Sequence, residues 1–580
     1  MQPPAQPPAK PPIGAGLTAR GRTIALWVVL LAFFMDVLDT TIVNVAIPSI
    51  QASLGTSYSA IQWIIAGYAL TFALFLITGG RLGDIVGYKP LFLVGMAGFI
   101  VASALSGLAP STGVLIGARL LQGFFAAMMV PQILSTIQVM YTTTAERRGT
   151  SAFYGALAGI ASVGGPILGA LLITGDLWGF GWRTIFLVNI PVGVAAIILA
   201  AIYLPNAKSP HPLHLDVVGV VIGVIAILML MYPLIEGREL GWPWWTYASM
   251  AGSLVAFVIF GASQVWKDRR DGSPLVVPHL FVHRAFVAGI ALLGAFYAVV
   301  SGFFLIFTLF LQVGLGYGIL KAGLTTIPFS IGVSVAAGLS GPLLVPRFGR
   351  NIITLGPVLL AAGFALFVWT LRHLGGTISP LELAPSLIVA GIGMGCVVAS
   401  VYPFILAEVE LKNAGSASGV INTVGQIGGA MGVAAIGVIF FGLIGSQATT
   451  SANAVKADLT ASLTKAGVPD FIQPTLVSSF ETCFRDRSNA KDFSAEPDSC
   501  RQARVSAAAF ATSAPAMAAA VNGAVTAAAH NANEKNFMTS IERTLVWEIV
   551  SLAFVFLLTF LLPRWPKPRT QGEAAATATP

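Results

Sequence analysis

Two carboxylates lie three residues apart in an otherwise apolar stretch, FFMDVLDTTIVNVAIPSI, where Asp36 and Asp39 share one face of a helix with Thr40. Acids at such depth usually face a bundle interior or an aqueous cavity and mark proton or ion pathways. Two so close do not ionise independently, which suits reversible carriage of a proton. The blander alternative is a neutral acid that holds two helices together by a hydrogen bond. A third candidate is Arg119 in LIGARLLQGFFAAMMVP, the one basic residue well inside any apolar segment, with Gln122 a turn away on the same face. A guanidinium stays charged and needs a partner. It cannot itself carry a proton, but its charge biases the protonation of a nearby acid across a low-dielectric cavity; a static ion pair is the competing reading.

Further along, GGRLGDIVGYK supplies glycines for a tight turn, Gly80 and Gly87 among them, and places Asp84 where it would cap the following helix. The stretch GALAGIASVGGPILGALL pairs Gly155 with Gly159 and Gly165 with Gly169 at a spacing that permits close helix contact. Pro166 removes a backbone donor and should kink that helix. Cys483 and Cys500 fall in one long polar loop, where an oxidising compartment would let a disulfide persist, whereas Cys396 reads as a small packing residue. The six histidines, His211, His214, His279, His283, His373 and His530, all lie outside the expected spans. No nucleophile or metal-ligand cluster is legible, so neither an enzyme, a metal site nor a cofactor is expected.

These residues must be positioned by membrane helices. Hydrophobic residues make up 56% of the 580, charged residues 10%, and the mean hydropathy is +0.82. A soluble domain carries roughly 25% charge. The apolar blocks, each long enough to cross a hydrocarbon layer of about 30 Å as a helix, cover residues 23–46, 60–80, 90–108, 113–139, 151–173, 184–204, 217–235, 245–266, 286–310, 322–345, 352–371, 383–402, 415–444 and 545–562. Of the 32 Lys and Arg residues, 18 lie in the two termini and the even-numbered loops, and four in the short odd-numbered loops. Nine more lie in the long final loop, which the positive-inside rule discounts. Both termini are therefore expected in the cytoplasm, and the net charge of +8 reports topology, not nucleic-acid binding. Trp178, Trp182, Trp242, Trp244 and Trp245 fall in outer loops and Trp565 at the inner end, as interfacial anchors do. Residues 1–16 are Pro-rich without a cleavage-type pattern, so the first helix is expected to act as the insertion signal.

A shift of 264 residues superposes Glu146 on Glu410, Arg148 on Lys412, Gly155 on Gly419, Gly164 on Gly428 and Gly165 on Gly429. Helices 5 and 13 then become equivalent members of two six-helix halves with helices 7 and 8 inserted between them. Such halves around a midplane cavity are how many secondary transporters alternate access. The expected organisation is a cytoplasmic N-terminus (1–22), a first bundle (23–204), two inserted helices with their linkers (205–284), helices 9–13 of a second bundle (285–445), a long extracytoplasmic loop with helical stretches (446–543), helix 14 (544–563) and a cytoplasmic tail (564–580).

Taken together the segments resemble the fourteen-helix drug:proton antiporters of the major facilitator superfamily, the EmrB/QacA type. The resemblance rests on LDTTIVNVAIP around Asp39, Asn44 and Pro48, on WRTIFLVNIPVG opening helix 6, on GRLGDIVGYK, on ARLLQG and on GGPILGA. It implies an all-α major facilitator fold of two six-helix bundles plus two helices, and a multi-pass protein of the bacterial inner membrane. By resemblance Asp39 and Arg119 couple protons, and Asp36 joins them as a candidate from its place on the same helical face; Gly80, Asp84, Gly87 and Lys89 form a gating loop; and Gly165, Pro166 and Gly169 seal or flex the interface between halves. Asn44, Gln122, Trp63 and Tyr68 are the candidates to line the cavity. The implied activity is export of hydrophobic, often cationic small molecules, since aromatic faces attract cations. A dedicated exporter of one metabolite, lipid or siderophore shares the same features, and a channel or receptor is the reading from another class. The monomer is the expected functional unit, with an adaptor in the outer compartment left open. Departures from the family pattern are Ala161 in place of a glycine, Pro346 in VPRFGR where Asp84 would align, the extra acid Asp36, and the length of the outer loop.

Overall fold

The computed structural model of the chain describes residues 18–141, 157, 161, 164–176, 179–209, 214–375, 378–406, 409, 414–490, 496–513 and 515–563. Glu146, Arg148, Gly155, Gly159, Trp178, His211, Glu410, Lys412, Trp565 and most of both tails lie outside the described residues. Within them the structure is helical, with no strand. In hydrocarbon each backbone N–H and C=O must be satisfied inside its own segment, which leaves the helix as the available answer for such sequences.

Twelve helices among the described residues are long and apolar enough to cross a bilayer. They are α1 (Ala19–Leu54), α2 (Tyr58–Val86), α3 (Tyr88–Gly107), α4 (Thr112–Met140), α6 (Gly181–Tyr203), α7 (Val217–Leu240), α8 (Trp244–Asp271), α9 (Arg284–Gly314), α10 (Ile319–Leu339), α11 (Asn351–Leu374), α12 (Pro380–Ile405) and α13 (Ala414–Asn453). The described part of the fifth span is α5 (Gly164–Thr174). The outer segment holds α14 (Lys456–Lys465), α15 (Gln473–Asn489) and α16 (Asp498–Ser513). The helix α17 (Pro515–Thr559) follows, and its last part carries the fourteenth apolar block. Several helices overrun the apolar blocks because capping, not hydropathy, ends them. The Thr18 hydroxyl accepts the Gly21 N–H at 3.1 Å, the Ser57 hydroxyl accepts that of Ala60 at 3.3 Å, and Ser379 and Glu382 form a capping box on α12.

One bundle packs α1, α2, α3, α4 and α6 together; the other packs α9, α10, α11, α12, α13 and α17; α7 lies on α8 and touches both α2 and α13. Glycines of α5 and α13 make close contacts, though not at the positions the 264-residue shift superposes: Gly164 meets nothing within 4 Å, where Gly428 meets Gly294. In α5, a side chain at Gly165 would strike the Thr41 hydroxyl and one at Gly169 would strike Ile42, both on α1. In α13, Gly428 sits on the backbone of Gly294 and Gly432 on that of Ala298, both on α9. Each helix of the pair thus seats on the first helix of its own half, where only small residues let backbones approach.

The polar outer segment builds a cap with its own core, in which Val455, Leu459, Leu463, Val477, Phe480 and Val521 are buried together. The end of the bundle beneath this cap is called outer below, and the opposite end inner. A disulfide joins Cys483 of α15 to Cys500 of α16 across 17 residues, as the loop composition led one to expect. Closing a loop of that length stabilises by about 3 kcal/mol through the unfolded state. Cys483→Ser/Cys500→Ser is therefore expected to make the α15–α16 hairpin cleavable by protease added from the cap side, with the membrane helices still intact; equal resistance would show that cap packing alone holds it.

Candidate functional site

Three of the residues singled out from sequence, Asp39, Arg119 and Gln122, meet at a single point. Arg119 of α4 is 1% exposed and Asp39 of α1 is 0% exposed, and the guanidinium Nη1 pairs with Asp39 Oδ2. Nη1 also donates to Gln122 Oε1 at 2.7 Å, and Nε donates to the Ile64 carbonyl of α2 at 3.2 Å. The second oxygen of Asp39 accepts from Gln122 Nε2 at 2.9 Å and from Asn189 Nδ2 of α6 at 3.0 Å. Ser103 of α3 accepts from the same two amides, at 2.7 and 3.1 Å. Five helices thus contribute to one network, and two of them, α4 and α6, bond the carboxylate of α1 directly. The guanidinium further stands 4.5 Å over the Tyr68 ring and 5.7 Å from that of Phe186. A charge so deep is tolerable because no side-chain atom of Asp39, Arg119, Gln122, Asn189 or Ser103 is among the buried polar atoms left without a hydrogen-bond partner.

Asp36 shares the face of α1 but not the network. It is buried, and its Oδ1 accepts from the Tyr68 hydroxyl. Tyr68 therefore touches both acids' surroundings, its hydroxyl on Asp36 and its ring under Arg119. Thr40 stays apart, donating to the Val37 carbonyl at 2.7 Å. Of the other cavity candidates, Asn44 is half-buried on α1. Trp63 sits higher, where its indole N–H donates to Glu236 of α7 at 2.8 Å.

Glu236 belongs to an outer clasp. Glu239 of α7 accepts from the Ser59 N–H of α2 at 2.9 Å, and Arg238 donates to the Phe441 carbonyl of α13 at 3.2 Å. Tyr58 stacks on Phe441 with ring centres 3.6 Å apart. Nearby, Gln312 of α9 donates to the Val45 carbonyl of α1 at 3.0 Å. Gly323 of α10 also faces Ala170 and the Pro166 carbonyl of α5, where an added Cβ would lie 2.8 and 2.9 Å away. The two bundles are joined at their outer ends by these contacts. Gly323→Val is expected to prop that end apart and to speed labelling of a cysteine placed at Ala170 by an impermeant thiol reagent; unchanged labelling would mean the contact does not hold the outer end shut.

Asp84 does not cap the next helix. α2 runs on to Val86, so Asp84 lies in its last turn, and Gly87, with φ of 116°, is the single residue between α2 and α3. The α3 start has no side-chain cap; Asp84 instead accepts from the Tyr88 hydroxyl at 3.0 Å. A positive φ of that size suits glycine, which explains Gly87. Gly80 faces Pro131, where an added Cβ would lie in ordinary contact at 3.6 Å, and Lys89 is half-buried. The active partner in this loop is Arg81, which donates to the carbonyls of His214, Ser273 and Pro274 and so ties the loop to the linkers of the inserted helices. In the second half, Arg350 donates to the Leu562 carbonyl at 2.8 Å, holding the inner end of α17.

Residues 29–433 match the sequence profile of the Major Facilitator Superfamily. The chain belongs to that superfamily. Among curated relatives of this Major Facilitator chain, the "Probable actinorhodin transporter" of Streptomyces coelicolor is 40% identical over 98% of the chain and 97% of its own length. The "Tetracenomycin C resistance and export protein" of Streptomyces glaucescens is 31% identical over 73% and 77%, and the "Multidrug efflux pump LfrA" of Mycolicibacterium smegmatis 31% over 72% and 80%. A solved bacterial homologue of the human lysosomal transporter Spinster, described as inward-facing and unoccupied, aligns over 95% of this chain and 100% of its own with a TM-score of 0.57 at 17% identity, a likeness of fold. The Major Facilitator assignment agrees with the drug:proton antiporter branch indicated by the motifs.

Sequence reading missed four participants. Asn189 stands inside the quoted WRTIFLVNIPVG, where an amide in an apolar opening was the available signal. Arg81 was counted only as an inner-loop charge. Ser103 carries no local signal, since serines pack freely in membrane helices. Glu548, an acid within the fourteenth apolar block, was legible but overlooked.

Proposed function

We propose that this Major Facilitator protein is a proton-driven exporter of hydrophobic, often cationic small molecules, operating by alternating access between its two bundles. The observation that carries the proposal is the buried Arg119–Asp39 pair with Asp36 one turn away. A proton arriving from the outer compartment forms an O–H bond on the carboxylate and removes the charge on which Arg119, Gln122 and Asn189 converge. The attraction between α1 and α4 then weakens, and the bundles are free to rock. Loss of the proton to the cytoplasm restores the pair, and Asp36, linked through Tyr68, senses the change. Asp84, Arg81 and the α5 contacts act as gates between these states.

The substrate class is supported by relatives named for actinorhodin, tetracenomycin C and multidrug export. The charge bias of the loops supports cytoplasmic termini in a bacterial inner membrane, and the monomer serves as the transporting unit. A second reading, an exporter dedicated to one compound, is favoured by the relative that matches almost the whole chain and is named for one compound. Proteoliposomes under an imposed pH gradient test both, with ethidium, actinorhodin, tetracenomycin C and puromycin supplied in turn. Substrate-dependent dissipation of the gradient is expected, by several compounds for a multidrug pump and by one for a dedicated exporter. Substrate flux without proton flux would overturn the antiport reading and leave a channel-like conductor.

A further inference from the structure

Glu548 lies in the membrane part of α17 and is 0% exposed, yet among the described residues neither carboxyl oxygen has a hydrogen-bond partner. It ends a polar stripe. Asn536, Ser540, Thr544 and Glu548 follow one another at intervals of four, so they share one face of the helix, and each is 0% exposed. The stripe starts at the outer end, where Asn536 Nδ2 donates to the Ile444 carbonyl of α13 at 3.0 Å, and it descends about 18 Å at 1.5 Å per residue. Thr544 donates to the Ser540 carbonyl at 2.7 Å, but Asn536 Oδ1 and Ser540 Oγ are as partnerless as the carboxyl. Buried polar atoms left unpaired are costly, and a polar path of this kind is where ordered water belongs.

Among the described residues the surroundings supply no counter-charge. α13 has no ionisable side chain. On α11, Arg372 pairs with Glu542 and His373 bonds the Trp369 carbonyl, both at the outer end. α9 contributes Arg284 at its inner end and Tyr297, whose hydroxyl is matched with Tyr402. In the cap, Lys456 of α14 pairs with Glu481, and on α17 itself Lys535 donates to the Ala454 carbonyl. α14 also carries Asp458 and Lys465, α16 Asp498, Arg501 and Arg504, and α17 His530, Glu534 and Arg543; none of these makes a hydrogen bond or ion pair with Glu548. Between residues 285 and 445 the acids are Glu382, in the first turn of α12, and Glu408 and Glu410, which lie outside the described residues. The second bundle therefore has one acid deep inside a span, on its sixth helix, as the first bundle has Asn189 on its own sixth.

We infer that Glu548 is a second proton-binding carboxyl, reached from the outer compartment by a water file along Asn536, Ser540 and Thr544. The proton bound there forms one O–H bond and leaves by the same file or into the central cavity as the bundles rock. The role in transport rests on the antiport reading above; the proton-binding itself does not.

Infrared difference spectra of the full-length protein, switched between mildly acidic and alkaline buffer, are the direct test. One carboxylic-acid band should vanish on alkalinisation in the native protein, be absent from the difference spectrum of Glu548→Gln, and shift in frequency in Glu548→Asp. Where Glu548→Gln does not fold, the shifted band in Glu548→Asp decides. A difference spectrum unchanged in either variant, or a band that ignores buffer pH, would show a permanently neutral packing acid and overturn the inference. In proteoliposomes Glu548→Gln should move one proton fewer per substrate than the native chain; an unchanged ratio overturns its role in transport. A native chain that moves substrate without protons would end the antiport reading while the infrared result still stands on its own.

Discussion

Proteoliposomes carrying Asp39→Asn are expected to show no transport driven by a pH gradient, while exchange of labelled for unlabelled substrate across the same membranes persists. Asparagine keeps the shape of aspartate and an oxygen that can accept from Gln122 and Asn189. Arg119 keeps the Gln122 and Ile64 oxygens and the Tyr68 ring. The site is thereby held together, but nothing at position 39 binds and releases a proton. Retained exchange separates loss of coupling from loss of fold. Gradient-driven transport at the native rate would rule out Asp39 as the coupling group and move attention to Asp36, whose partner Tyr68 belongs to another helix.

Arg119→Ala should be the most destabilising single change in the network. It strands the Asp39 carboxylate, fully buried, without its cation and opens a void where a long side chain lay under Tyr68 and Phe186. Removing one partner of a buried pair costs about 3–5 kcal/mol. A fall in the thermal unfolding midpoint of the purified protein in detergent reads this out. Arg119→Leu combined with Asp39→Asn should recover most of the midpoint, because no uncompensated charge remains, yet should still fail to couple. If Arg119→Ala unfolds at the native temperature, the ion pair is not what holds α1 against α4, and the coupling scheme loses its lever.

The membrane spans, the paired acids and Arg119 were legible in the chain because burial of charge in an apolar run is a local signal. So was the disulfide, since two cysteines in one long polar segment have few alternatives. The Asp84 cap was misread for a reason of the same kind: hydropathy ends at Gly80, whereas hydrogen bonding carries α2 on to Val86, and one glycine makes the whole turn.

What the sequence determined by itself is how deep each polar group sits, since depth follows from position along a helix whose rise is fixed. Which groups meet at that depth was decided only in the folded molecule. Asp36 and Asp39 share a helical face, yet one is bonded to Tyr68 and the other to Arg119, Gln122 and Asn189. That division depends on the rotation and crossing of α2, α4 and α6 around α1, which glycines and side-chain shapes on several distant segments set together, and which no single stretch of sequence contains.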